Sequence, residues 1–233
     1  MKEWVEGLLP YERNAFLALN GSDSIFMDNV MWTFTGRLIW IPLILFVLFL
    51  LFYKRPKKEA LLALLFIALV VFFCDTVSSS ICKPFFQRFR PTHHPDFAAF
   101  VDVVNGYRGG SYGFISGHAT NSFGIATFLS LLYRYRWATV SFLFWATVNS
   151  YSRIYLGVHF ITDILAGAIM GLLIGFAVYQ GYAWIRRHYV AVSADSTNTR
   201  TYPIEYGKWV SIGLFSYILI IVIFSHFLAN LPH

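Results

Sequence analysis

Long apolar runs separated by short polar connections alternate along most of this chain. Six of the runs approach the roughly 20 residues that a helix needs to cross a bilayer. We place these spans at residues 32–53, 60–80, 119–133, 137–151, 160–185 and 208–228. The third and fourth runs are short, so we expect them to take residues from neighbouring loops. The pattern predicts an all-α fold, a polytopic membrane bundle of six transmembrane helices.

The first 31 residues do not follow this pattern. They mix aromatic residues, leucines and acids, which makes them too polar to span a bilayer and too apolar for a free tail. We expect an amphipathic segment lying in the membrane interface, with a turn at residues 20–23. No cleavable signal peptide is expected, because a partly acidic stretch precedes the first apolar block. The predicted division is therefore an interfacial segment at 1–31 and a six-helix membrane domain at 32–233.

The composition supports a membrane protein without a separate soluble domain. Of the 233 residues, 57% are hydrophobic and 13% are charged, whereas soluble domains carry about a quarter charged residues. The formal net charge of +6 raises the possibility of nucleic acid binding. Most basic residues, however, lie in short loops beside apolar runs, where they face anionic lipid headgroups. Cys74 and Cys82 match no zinc or redox spacing, so we interpret both as structural.

The basic loops indicate an orientation for the bundle. Short basic loops tend to stay on the cytoplasmic side, and three such loops occur, at 54–58, 134–136 and 186–188. Six spans put all three on that side and place both termini on the outer face. The connection between the second and third spans then lies outside as well. It opposes the rule with four cations, which we attribute to a functional site: Lys83, Arg88, Arg90 and Arg108.

Polar groups that a membrane protein usually avoids are concentrated between residues 83 and 163. Lys83, Arg90 and Arg153 lie at the outer ends of predicted spans, where charged groups are costly and are usually retained for function or pairing. Any one of them could be a snorkelling anchor. Guanidinium groups also match the geometry of phosphate oxygens. Three cations near two histidines predict an anion site, and in a membrane protein we expect the anion to be a lipid phosphate.

Two histidines supply candidate chemistry for this site. His159 and Asp163 are four residues apart at the start of a predicted helix, so they are expected on one face. An aspartate that accepts the imidazole N–H leaves the other nitrogen free to attack or to take a proton. His118 follows Ser116–Gly117 at the entry of the third span, where it could protonate a leaving group. In isolation, each would more often be a helix-end or interfacial residue.

Taken together, these residues resemble a known three-part signature. Its pieces here are Lys83 with Arg90–Pro91, then Ser116–Gly117–His118, then Arg153 followed by His159 and Asp163. The order and spacing are similar to those of the type 2 phosphatidic acid phosphatases, a superfamily that includes bacterial lipid-pyrophosphate phosphatases and vanadium haloperoxidases. Ile115 departs from the pattern, because the family usually has proline before Ser-Gly-His.

The resemblance implies a role for each matched residue. His159 would be the nucleophile that forms a phosphohistidine, Asp163 would orient it, and His118 would be the general acid. The other matched positions would hold the phosphoryl oxygens, without any metal or cofactor: Lys83, Arg90, Arg153, the Ser116 side chain and the Gly117 backbone N–H. The expected reaction removes the terminal phosphate of a lipid phosphate or diphosphate at the outer face of a bacterial inner membrane. Possible substrates are undecaprenyl diphosphate, lipid A, phosphatidylglycerophosphate and phosphatidic acid.

Two other functions use the same residues. A phosphohistidine could be passed to a second lipid, which would make the protein a phosphotransferase. A basic pocket could also serve an anion transporter without turnover, although an oriented nucleophile argues against this. Other polar residues have open roles: His93, His94 and Asp96 as a metal site or as headgroup contacts, Arg88 and Arg108 in the pocket or as loop anchors, and Asp75 in the bundle interior with an unnamed partner. The oligomeric state is left undetermined.

Overall fold

The computed structural model of this chain describes residues 2–36, 38–190 and 201–231. Within these ranges the structure is helical and has no β-strand, which confirms the predicted all-α class. The helices are α1 (Lys2–Glu6), α2 (Leu9–Leu19), α3 (Ile25–Thr35), α4 (Ile41–Phe52), α5 (Lys57–Asp75), α6 (Lys83–Phe86), α7 (Gly117–Tyr133), α8 (Arg136–Tyr155), α9 (Ile161–Ile185), α10 (Ile204–Ile223) and α11 (Ser225–Leu228).

Three helical stretches in the described part of the chain are long and apolar enough to cross a membrane, at Lys57–Phe86, Ile161–Val190 and Ile204–Ile223. A fourth crossing is possible if α3 and the stretch Leu38–Phe52 act together, although they meet at a bend of 74°. The helix α7 has only 17 residues, and α8 carries buried polar side chains such as Asn149. The chain is therefore a helical membrane protein with three or four spans by length and composition, and the count of six stays a prediction.

Helices α7 and α9 pack very closely because glycines line their contact. A Cβ atom added at Gly171 would lie 2.4 Å from the Thr120 carbonyl oxygen, and one at Gly175 would lie 2.4 Å from the Gly124 carbonyl oxygen. Small residues let membrane helices approach at backbone distance. The first turns of the two helices also meet, since the Ser116 N–H donates to the Asp163 carbonyl at 3.1 Å. Two of the predicted motif pieces are thereby held side by side.

The second predicted span continues further than the sequence indicated. A wider, π-type turn at Thr76–Cys82 joins α5 to α6, so the span runs on to Phe86. The predicted end of this span at residue 80 is therefore too early, because helical structure continues to Phe86. The remainder of this connection is irregular and contains three short 3₁₀ turns, at Pro91–His93, Ala98–Phe100 and Val104–Gly106.

The N-terminal segment forms helices that cover the motif region. Phe16 of α2 is fully buried, and its ring packs against Phe97 at 5.5 Å and Phe160 at 5.3 Å. The turn predicted at residues 20–23 separates α2 from α3. The predicted boundary between residues 31 and 32 falls inside α3, so the first span does not begin at a helix start. The interfacial character of residues 1–31 stays a prediction.

Two of the basic loops meet at the end of the bundle opposite the motif residues. The Glu59 carboxylate, near the start of α5, accepts hydrogen bonds from Arg55 at 3.2 Å and from Arg186 at 2.9 Å. Arg55 belongs to the connection before α5, and Arg186 directly follows α9. This ion-paired cluster joins the start of the stretch Lys57–Phe86 to the end of α9. Lys83 and Asp163 lie at the opposite ends of these two elements.

Candidate active site

His159 and Asp163 form the centre of a buried polar cluster. His159 is 1% exposed and Asp163 is fully buried. The His159 Nδ1 atom lies 3.4 Å from Asp163 Oδ2, which also accepts the Phe160 N–H at 3.0 Å. The predicted contact exists, but its expected geometry is wrong, because α9 begins at Ile161 and His159 precedes the helix. Asp163 caps the first turn of α9, and the chain before the helix brings the imidazole to it.

Glycine at position 113 leaves room for these two side chains. A Cβ atom at Gly113 would lie 2.8 Å from Asp163 Oδ2 and 3.5 Å from His159 Nδ1. The Gly113 backbone is also hydrogen-bonded to the His159 side chain. The imidazole is therefore held between the first turn of α9 and the glycine-containing loop before α7, which leaves it little freedom to rotate.

The three predicted cations converge on the histidines. Arg153, His159, Arg90 and Lys83 all act electrostatically on His118, and Arg90, Arg153 and Lys83 act on His159. The pKa of His159 lies well below its ordinary value, first because the ring is buried and then because these cations disfavour imidazolium. A neutral imidazole is the form with a free lone pair, as a nucleophile requires.

The two arginines are held in place by hydrogen bonds to different parts of the chain. Arg90 donates through Nε to the Tyr112 carbonyl at 3.2 Å and through Nη1 to the Val158 carbonyl at 3.4 Å. Burial and the neighbouring Arg153 lower the pKa of Arg90 to about 10, which leaves the group charged at neutral pH. Arg153 is 2% exposed, and its guanidinium donates to the Thr35 hydroxyl and to the Tyr107 hydroxyl.

Lys83 is placed by its helix. Its Nζ donates to Ser79 Oγ at 3.1 Å, and the Ser79 hydroxyl donates to Asp75 Oδ1 at 3.3 Å. Asp75 therefore has a partner in Ser79, but the expectation that it faces the bundle interior is wrong, because it is exposed. A Cβ atom at Gly117 would lie 3.8 Å from Lys83 Nζ. The ammonium group thus lies beside the start of α7, where His118 is found.

Ser116 begins α7 as its N-cap. Its hydroxyl oxygen accepts the Ala119 N–H at 3.4 Å, and the side chain is fully buried. His118 follows in the first turn and is half-buried. Phe114 and Ile115, the residue that replaces the usual proline, are joined by a cis peptide bond and are both buried. All eight residues predicted for the site are therefore in one region: Lys83, Arg90, Ser116, Gly117, His118, Arg153, His159 and Asp163.

The remaining polar residues of the motif region take structural positions. His94 Nε2 lies 3.3 Å from the Glu6 carboxylate, which also accepts the Phe89 N–H at 3.2 Å. Arg108 donates to the Thr92 carbonyl at 3.2 Å and so anchors its own loop. In the described ranges, no group of three or more His, Cys, Asp or Glu side chains is arranged to hold a metal ion.

Several residues of the cluster were not identified from the sequence. Glu12 of α2 forms an ion pair with Arg88, and Thr35 and Tyr107 contact Arg153. The sequence allows two interpretations of Arg88, as a residue of the pocket or as an anchor of its loop. In the structure it is completely buried and forms an ion pair with Asp163. An isolated acid in an amphipathic segment carries no local signal that it pairs with a cation 76 positions away.

The chain is similar to known proteins over the whole motif region. Residues 59–187 match the model of the PAP2 superfamily, a range that includes every motif residue from Lys83 to Asp163. The chain is 40% identical over 227 residues to a lipid A 4'-phosphatase of Porphyromonas gingivalis, covering 97% of this chain and 96% of that one. It is 41% identical over 176 residues to a lipid A 4'-phosphatase of Bacteroides thetaiotaomicron, covering 75% and 78% respectively.

A solved structure shares the fold. The crystal structure of a transmembrane PAP2 type phosphatidylglycerolphosphate phosphatase from Bacillus subtilis superposes with a TM-score of 0.59 at 23% identity, covering 78% of this chain and 89% of that one. The match of residues 59–187 to the family model and the 40% identical relative show that the chain belongs to the PAP2 superfamily. Within that superfamily it is an integral membrane protein and a bacterial lipid phosphatase.

Proposed function

We propose that this phosphatase works through a covalent phosphohistidine on His159. The observation that carries the proposal is the buried contact of Nδ1 with Asp163, which leaves Nε2 as the nitrogen that attacks phosphorus. In the first step the P–O bond to the lipid breaks, and His118 gives its proton to the leaving oxygen. In the second step His118 accepts a proton from water, whose oxygen displaces His159 and releases inorganic phosphate.

The cations supply the charge that this reaction needs. Phosphoryl transfer places negative charge on the equatorial oxygens, and fixed donors that face those oxygens stabilise the transition state. Lys83, Arg90 and Arg153 are already held by protein contacts, so little reorganisation is needed when substrate arrives. The Ser116 hydroxyl and the Gly117 N–H lie at the N-terminus of α7, where a helix favours an anion. No metal or cofactor is required by this assignment.

The substrate that we propose is lipid A, with the 4'-phosphate as the group removed. The support is the match along nearly the whole chain to one lipid A 4'-phosphatase and along three quarters of it to another. Phosphatidylglycerophosphate, phosphatidic acid and undecaprenyl diphosphate share the same phosphate chemistry, so the comparison among them has to be made by assay.

A panel assay with the purified protein in detergent tests this assignment. We expect bisphosphorylated lipid A to lose one phosphate faster than the three other lipids, with fragmentation by mass spectrometry locating the loss at the 4' position. EDTA should leave the rate unchanged and vanadate should inhibit it, because the cations of the site bind a phosphate analogue directly. Faster turnover of another lipid would refute the substrate, and transfer of phosphate to a second lipid would identify a phosphotransferase.

We also propose six spans, with the active site and both termini on the outer face of the inner membrane. The basic cluster around Glu59 lies at the opposite end of α5 and α9 from the site, which supports a cytoplasmic position for that cluster. In this arrangement α7 crosses the membrane inside the bundle, whereas α8 presents the exposed side chains of Trp137, Val140 and Phe144 to lipid.

Cysteine labelling in spheroplasts tests the orientation. In a background that carries Cys74→Ala and Cys82→Ala, we expect Ser111→Cys to react with a membrane-impermeant maleimide, since residue 111 is exposed in the loop beside the site. Lys57→Cys is the matched control, exposed at the other end of the bundle, and should react only after the membrane is disrupted. The reverse labelling pattern would refute the proposed orientation.

A further inference from the structure

Arg88 is a fully buried cation placed between two carboxylates. Its Nη1 donates to Asp163 Oδ1 at 2.8 Å, and its Nη2 donates to Glu12 Oε1 at 2.5 Å. Burial alone would lower the pKa of Arg88, but Asp163 and Glu12 outweigh that effect and raise it. A buried charge that loses its partner is strongly destabilised. The three side chains therefore form one unit, in which Asp163 contacts His159 with one oxygen and Arg88 with the other.

Glu12 connects this unit to the N-terminal segment. It is 5% exposed, and its carboxylate accepts three hydrogen bonds, one from Arg88 and two from Thr162. Thr162 in the first turn of α9 donates through its backbone N–H to Oε2 and through its hydroxyl to Oε1, both at 2.8 Å. Arg88 Nη1 also donates to the Thr162 hydroxyl at 2.6 Å. The same carboxylate thus fixes Arg88 and the helix turn that carries Asp163.

We propose that Glu12 and Arg88 are positioning residues that hold Asp163 against His159 and balance the charge around the nucleophile. Arg88 donates to Asp163 Oδ1 and so holds Oδ2 towards the imidazole, and Glu12 offsets the positive charge that Arg88 brings into the site. The proposal rests on the assignment of His159 as nucleophile. It gives the N-terminal segment a part in catalysis through the contacts of Glu12 with Arg88 and Thr162.

Each substitution changes the charge around His159 in a definite direction. The groups that face it are the cations Lys83, Arg90 and Arg153, the carboxylate of Asp163 and the imidazole of His118. Glu12→Gln removes a negative charge behind this set, so imidazolium is disfavoured further. The pH at which His159 becomes neutral then falls. Arg88→Gln removes a positive charge, so imidazolium is favoured and that pH rises.

The test is the pH profile of kcat/KM for the full chain in detergent, because its acid limb reports the ionisation of the free enzyme. We expect Arg88→Gln to move the acid limb upward by about one pH unit and Glu12→Gln to move it downward by a smaller amount. The double variant should return it towards the parent position, with kcat still reduced because Asp163 is less well held. Arg13→Gln is the matched control, since Arg13 is exposed on α2 and lies over the Phe97 and Phe100 rings, and it should leave the profile unchanged.

General loosening of the fold would lower kcat in both variants without moving their acid limbs in opposite directions. Opposite shifts therefore cannot come from loosening. Equal shifts, or none, in variants that remain monodisperse would overturn the proposal. If Arg88→Gln cannot be purified, Glu12→Gln decides alone: a downward shift supports the proposal and an unchanged limb refutes it. Profiles measured on a water-soluble phosphate monoester separate this result from the choice of lipid, and activity in His159→Ala would reject the nucleophile independently.

Discussion

Replacing His159 with alanine should reduce phosphate release by about 10⁴-fold or more, the scale seen when a covalent nucleophile is removed. The residue lies between Asp163 and the three cations, and no other group in the described cluster is both neutral and oriented by a carboxylate. Water would have to attack the lipid phosphate without help from the imidazole. The measurement is inorganic phosphate released from lipid A by purified parent and variant proteins at equal concentration.

Trapping the intermediate gives this prediction a second readout. Parent protein mixed with radiolabelled substrate and quenched in denaturant should carry acid-labile phosphate, as expected of a P–N bond, and His159→Ala should carry none. His226→Ala is a suitable control, because His226 is exposed on α11 and outside the cluster. It should retain parent activity and labelling. Robust turnover by a folded His159→Ala protein would refute the assigned nucleophile.

Valine at position 171 should separate α7 from α9 and remove both stability and activity. A Cβ atom there would lie 2.4 Å from the Thr120 carbonyl and 2.9 Å from the Gly124 nitrogen, and both are backbone atoms that cannot turn aside. Overpacking of this kind costs about 1–3 kcal/mol or more. Because the start of α7 carries Ser116 and His118, a shift of that helix also moves the proposed general acid away from His159.

Gly181→Val provides the matched control on the same helix. The nearest atom to a Cβ at Gly181 is a Phe66 ring carbon at 3.4 Å, which is an ordinary contact with a side chain. Both substitutions change helix propensity equally, so the difference between them reports packing. We expect thermal unfolding in detergent to show a clearly lower midpoint for Gly171→Val than for Gly181→Val, with activity lost only in the former. Equal midpoints would contradict the assigned close packing.

The local sequence pattern was sufficient to predict where the helices lie and to identify the signature residues. Apolar runs of bilayer length predict helices because the backbone has to satisfy its own hydrogen bonds in lipid, and each of the six runs contains most of one observed helix. The spacing of His159 and Asp163 predicted their contact. It did not reveal that Asp163 would cap α9 and leave His159 ahead of the helix.

The features that sequence did not reveal depend on distant pairing. Arg88 and Glu12 are 76 positions apart, and neither has a neighbour in sequence that marks it as buried. Asp75 was expected inside the bundle because charges avoid lipid. Its contact with Ser79 shows that a partner on its own helix can suffice at an exposed position. The positions of these residues depend on tertiary contacts. Sequence periodicity could not predict them, because it describes only one helix at a time.

The wide turn at Thr76–Cys82 sets the rotational phase of the lysine that follows it. One residue more or fewer in a helix rotates everything beyond it by about 100°, and π-type turns occur often at functional sites. Loss of a single residue from this stretch would therefore turn the ammonium group away from the start of α7 and His118. When related chains are aligned, a one-residue gap here would signal an altered catalytic machinery even if every signature letter were retained.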